Sequence, residues 1–166
     1  MKLNFFTVAA AALLMSASAS ALAQVEAAVT AEAEIQTKDG VIPPPPAGKG
    51  QIVFYRTNGL MGRAISCAVH ENGARISRLP PGRYSVVVAE PGTHSYSVRS
   101  EATDTIRLEV EDQETQFVRC TIGMGLVAGR PNLSPAERSA FTQAARNLRA
   151  VEQPAAQPAA AAAAAD

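Results

Sequence analysis

The chain has no tryptophan and, in 166 residues, three tyrosines and five phenylalanines. Proteins that stack sugars or bases on aromatic platforms need more rings than this, so that mode of recognition is set aside. Two histidines, His70 and His94, stand without clustered carboxylates and fall short of a zinc or iron ligand set. No metal and no cofactor are expected. Fifteen basic residues meet fifteen acidic ones, leaving no net field to recruit nucleic acid or an anionic membrane. Long apolar runs are missing as well. Residues 5–15 form the best one, roughly ten residues where a spanning helix needs ~20.

That short run reads instead as the centre of a secretory signal peptide over residues 1–23. Lys2 supplies the positive start and Ala21-Leu22-Ala23 the small-x-small cleavage site, with the cut expected between Ala23 and Gln24. A periplasmic or secreted protein with no membrane span after cleavage is the expectation. Export changes how the only two cysteines, Cys67 and Cys120, are read. In an oxidising compartment a disulfide between them can persist. Two buried thiols packed as small hydrophobes are the other arrangement the pattern allows.

The residues between the ends are organised around a phrase that occurs twice. Pro81-Gly82-Arg83-Tyr84-Ser85-Val86 is followed by Pro91-Gly92-Thr93-His94-Ser95-Tyr96. In each, Pro-Gly fits a tight turn and the next residues alternate with the period of a strand that has one buried face. Asn72-Gly73 is a strong hairpin signal, because a type I′ turn needs two positive φ angles. Strands are predicted over 51–56, 64–70, 74–79, 83–88, 93–98, 105–110 and 115–122. Seven short strands at this spacing predict an all-β fold, a seven-stranded antiparallel β-sandwich over residues 51–130. Ser134-Pro135-Ala136-Glu137 has the form of a capping box, so a C-terminal helix is predicted within 131–152 with Phe141, Ala145 and Leu148 on its packing face. Residues 24–50, with Pro43 to Pro46 in a row, read as an Ala/Pro-rich flexible linker, and 153–166 as a disordered Pro/Ala tail.

No constellation of catalytic type emerges. Cys67 and His70 are three apart on a strand, which puts them on opposite faces. Gly123-x-Gly125 lacks the Lys-Ser/Thr ending of a phosphate loop. Ser66, Ser85 and Ser95 lie in strands without an elbow motif or a base partner. A non-enzymatic protein is expected. Arg75, Arg78 and Arg83 cluster around the turn at 79–82 and form a possible binding patch for an anionic glycan, a carboxylate or a phosphate. Solvated strand faces balancing Glu71 and Glu90 are the plainer account of the same charges.

Four motifs in order resemble an exported bacterial family known only as domain of unknown function 2846. They are Gly48-Lys49 with Ile52 and Phe54-Tyr55-Arg56; Val69 with Asn72-Gly73; Leu79-Pro80 with Gly82 and Tyr84; and Pro91-Gly92 with His94. The Pro-Gly phrases are also similar to those of cell-surface β-sandwich repeats and of transthyretin-like modules appended to carboxypeptidases. The resemblance implies an envelope β-sandwich with no established activity. Many members of that family are lipoproteins, and this chain lacks the lipid-accepting cysteine. The expected role is therefore a binding or structural module of the cell envelope for a protein or glycan partner. A periplasmic carrier or sensor of a small apolar ligand is the alternative.

Overall fold

The computed structural model describes residues 34–151 apart from Met61 and Ala128. The signal segment, the Ala23–Gln24 boundary and the 153–166 tail lie outside the described residues. Among the described residues eleven strands and one helix follow in order: β1 Gln36–Thr37, β2 Gly40–Val41, β3 Gly50–Arg56, β4 Cys67–Glu71, β5 Ala74–Leu79, β6 Arg83–Ala89, β7 Gly92–Arg99, β8 Thr103–Val110, β9 Thr115–Gly123, β10 Arg130–Ala136, α1 Arg138–Ala145 and β11 Arg149–Ala150. All seven predicted strands are present, as β3 to β9.

They fold into a sandwich of two sheets, ordered β10-β9-β3-β6-β11 and β5-β4-β7-β8, with β1 and β2 forming a separate hairpin. Every pairing in the four-stranded sheet is antiparallel, β4–β5 and β7–β8 through hairpin turns and β4–β7 after the chain has passed through β5 and β6. The five-stranded sheet departs from the expected wholly antiparallel pattern, since β3 runs parallel to β9 and β11 parallel to β6. The chain visits the other sheet between β3 and β9, so those two return side by side in the same direction.

β3 explains why the molecule has two apolar layers. All seven of its residues are buried, as befits a central strand covered on both faces. Ile52 and Phe54 enter the layer between the sheets, with Val69, Leu79, Tyr96, Val98, Val110, Val118, Cys67 and Cys120. Val53 and Tyr55 point the other way, toward Phe117, Tyr84 and the α1 residues Phe141 and Ala145. Phe141 meets Tyr55 edge-on at 5.0 Å and stacks on Phe117 at 4.9 Å, distances at which aromatic pairs add to their burial. Cys67 of β4 and Cys120 of β9 are joined by a disulfide with Cα atoms 6.6 Å apart, tying one sheet to the other across the layer.

Two sequence expectations need correction. The helix does not begin in the capping box: Ser134, Pro135 and Ala136 pair with Arg119, Val118 and Phe117 of β9 as part of β10. The helix starts three residues later, with Glu137 at its N-cap and no side-chain cap bond. Strand pairing outweighed a local helix-start signal, and proline is compatible with an edge strand. Phe141 and Ala145 form the packing face as expected, whereas the helix ends at Ala145 and Leu148 is buried in the same layer from the segment beyond it. The second correction concerns the linker. Its described end packs against the fold: Ile35 and Ile42 are buried against the helix layer, and Gln51 Nε2 donates to the Pro43 carbonyl at 2.9 Å.

Candidate functional site

The two faces of the sandwich differ in what lies on them. The outer face of the five-stranded sheet is covered by α1 and the β1–β2 hairpin through the layer just described. Nothing among the described residues covers the outer face of β5-β4-β7-β8. Residues directly opposite each other share a face, so register shows what it displays. Arg75, His70, Ser97 and Thr105 form one row across the four strands. Ser95 sits opposite Arg107 in the next row, and Thr93 opposite Glu109 beyond it. On the other side of the first row lie Arg78, opposite Ala68, and Arg99, opposite Thr103. Four strands at ~4.8 Å spacing make this a plate roughly 14 Å across.

Arg75 and Arg78 are three apart and would fall on opposite faces of a regular strand. A register shift lets β5 carry one residue more than β4 opposite Val69–His70, which brings both arginines to the outer face. Arg75, Arg78, Arg99 and Arg107 are all exposed. None is in an ion pair among the described residues. The acid on this face, Glu109, instead accepts a hydrogen bond from Thr93 at 2.6 Å. The third residue of the predicted patch, Arg83, is not there. It lies on β6 in the other sheet, where its guanidinium reaches the Ala150 carbonyl at 3.4 Å. The structure thus joins two of the three predicted arginines and adds Arg99 and Arg107, which lie far from 79–82 in sequence.

The layer between the sheets ends differently at its two rims. At one, His94 donates from both ring nitrogens: Nδ1 to Glu71 Oε1 at 2.7 Å and Nε2 to the Glu90 carbonyl at 2.8 Å. Its ring stacks on Tyr96 with centroids 6.0 Å apart. Burial alone would lower the His94 pKa, but the hydrogen bonds to Glu71 and Glu90 and the charges of Glu71 and Glu109 outweigh it and raise the pKa above its ordinary value. Burial, then the Glu71 charge, raises the Tyr96 hydroxyl as well. His94 thus packs on Tyr96 and pairs with Glu71. Glu71 has the core-facing parity of Val69, and only pairing β4 with β7 places it opposite Tyr96.

At the other rim Arg56 is buried at the end of β3. Its guanidinium donates to the Gly62 carbonyl at 2.8 Å, to Ile65 O and, at 3.5 Å, to Leu79 O, so it fastens the loop after β3 to the loop before β6. Gly82 completes that fastening. Its N–H donates to the Arg56 carbonyl at 3.0 Å, its φ is +72°, and a Cβ there would stand 2.5 Å from Asn58 Oδ1. An open cleft of about 530 Å³, lined by Asn58, Gly59, Leu60, Arg63 and Pro81, lies between these loops.

The space between the sheets is filled by side chains: Ile52, Phe54, Val69, Leu79, Tyr96 and Val98 have no exposed surface. Among the described residues no three metal-ligating side chains converge, and no helix is long and apolar enough to cross a membrane. The outer edge of β10 offers few backbone donors. Pro131 and Pro135 have no N–H, and Leu133, of the same parity, gives its own to Asp104 of β8 at 2.8 Å.

No curated protein and no solved structure matches the chain. A family model described as protein of unknown function (DUF2846) does, over residues 46–131. That span holds the disulfide, the arginine plate, the Arg56 clasp and the Glu71–His94 pair, and it leaves out α1 and the β1–β2 hairpin. On this match, which takes in all of β3 to β9, the chain belongs to the DUF2846 family of proteins of unknown function.

Proposed function

We propose that the protein is a non-enzymatic, exported β-sandwich of the cell envelope that binds an anionic partner, glycan or protein, on the bare face of β5-β4-β7-β8. One observation carries the reading: Arg75, Arg78, Arg99 and Arg107 stand together on that face without carboxylate partners among the described residues. Arginine is the side chain suited to bidentate contact with carboxylate or phosphate. The hydroxyls of Thr93, Ser95, Ser97, Thr103 and Thr105 between them supply neutral donors and acceptors. The filled interior favours surface recognition over carriage of a small apolar ligand. Export is supported by the signal-like residues 1–23 and by the Cys67–Cys120 disulfide.

The test is capture from an envelope fraction by the protein as recovered from the cells that make it, beside an R75Q/R78Q/R107Q variant. An anionic glycan or protein retained by the parent, released by salt and absent from the variant is expected. Equal retention by both would sink the reading. N-terminal sequencing of the same material is expected to begin at Gln24.

A further inference from the structure

The Arg56 rim carries a feature that neither the arginine plate nor the family match explains. Leu126 is 99% exposed, Val127 93%, Met124 84% and Leu60 86%. Single exposed apolar side chains are ordinary, whereas several gathered at one place mark a contact surface. These four belong to two loops whose bases meet on one residue. A Cβ on Gly62 or on Gly129 would lie 2.7 Å from Ile122 Cγ2, so both loops are seated against Ile122. The loop between β9 and β10, residues 124–129, is also tied down from the side. The Glu101 carboxylate accepts the Leu126 N–H at 3.0 Å and the N–H of Val127. The apolar tip is thus held out into solvent by specific bonds.

We propose that this tip docks the protein on the surface of an anionic phospholipid bilayer. Met124, Leu126 and Val127 stand almost wholly in solvent, with Leu60 at the cleft of the neighbouring loop, and side chains so exposed need a partner that deforms around them. A bilayer does so without a matching pocket, taking Leu, Val and Met below the headgroups while the polar body stays outside. Charge complements the apolar contact. Arg63 lies three residues beyond Leu60 in the loop between β3 and β4, and Arg130 follows residues 124–129; both are exposed and neither is in an ion pair among the described residues. Glu101, an acid beside the tip, is engaged by the two backbone N–H groups. The surface therefore offers apolar insertion with an arginine in or directly after each loop, suited to a leaflet of negative potential. Overall charge neutrality does not oppose this, because screening confines the attraction to groups within a Debye length of the lipid.

The absence of tryptophan provides the reporter. L126W puts a lone indole at the tip, and T105W puts one on the arginine plate. The protein as recovered from the producing cells is mixed with vesicles of phosphatidylglycerol and phosphatidylcholine, or of phosphatidylcholine alone. The expected result is a blue shift of L126W emission with the mixed vesicles, weaker at high salt, and no shift for T105W. In co-sedimentation the M124S/L126S/V127S variant is expected to partition about tenfold less than the parent. R63Q/R130Q is expected to lose the preference for phosphatidylglycerol. A shift in T105W but not L126W, unchanged sedimentation of the triple serine variant, or no binding by the parent would overturn the proposal. So would a blue shift of L126W that grows with protein concentration in the absence of lipid, since that result assigns the tip to a second copy of the chain.

Discussion

The two sheets share an inner layer and differ in their outer faces. On the five-stranded sheet the outward residues of the central strands are Val53, Tyr55, Tyr84 and Phe117, and they are sealed by Phe141, Ala145, Leu148, Ile35 and Ile42. On the four-stranded sheet the outward positions hold arginine, serine and threonine with His70, Ala68 and Glu109. A sheet face that is apolar must be covered, whereas one that is polar is stable in water as it stands. The comparison teaches that stability is concentrated on one side of the molecule and available surface on the other. The family match runs the same way, since it includes the bare sheet whole and leaves out the elements that cover the other.

The comparison can be broken from its strongest side first. F141A removes the ring that Tyr55 and Phe117 pack on, and a loss of about 3–5 kcal/mol is expected in a denaturant titration. Retained capture of the anionic partner in the population that stays folded would show the two faces to be separable. Next comes the tie between the sheets. C67A/C120A opens a loop of 53 residues, and roughly 3–4 kcal/mol should be lost in the chain-entropy model. A smaller loss would mean that the layer itself holds the sheets together.

The remaining two changes act on the bare sheet. Protonated His94 is held by Glu71 and Glu90, so its pKa is higher folded than unfolded. Such a group contributes stability that is complete below the unfolded value and disappears as pH rises through the folded one. Unfolding free energy is therefore expected to decline from about pH 6.5 upward, and H94Q should flatten that part of the profile. An unchanged slope in H94Q would assign it to another group. Smallest is the effect of R75Q/R78Q/R107Q on stability, within ~0.5 kcal/mol because the three side chains are exposed and unpaired. A larger loss would mean that the plate has a structural role.

Much of the fold was legible because its signals are local. Asn72-Gly73 adopts two positive φ angles, 49° and 81°, as the hairpin reading requires, and strands β4, β7 and β8 alternate visibly. The arginine plate was only half legible. Arg75 and Arg78 are neighbours in sequence, but Arg99 and Arg107 join them through strand pairing that composition does not record. Arg83 was misplaced for the converse reason: a turn separates β5 from β6 and sends the chain to the other sheet. Ser134-Pro135 failed as a helix start because β9 offered hydrogen bonds to that segment.

What the sequence by itself determined is the seven strands β3 to β9, the turns that punctuate them, and Phe141 and Ala145 as the packing residues of the helix. These follow from period-two hydrophobicity and from the φ demands of glycine, asparagine and proline, which act over a few residues. The tertiary structure alone decided which strands are neighbours, that β3 and β9 run parallel, that one sheet is covered and the other bare, and that Glu71 meets His94. Those outcomes depend on contacts between residues distant along the chain, where the gain from burying an apolar face outweighs any local preference.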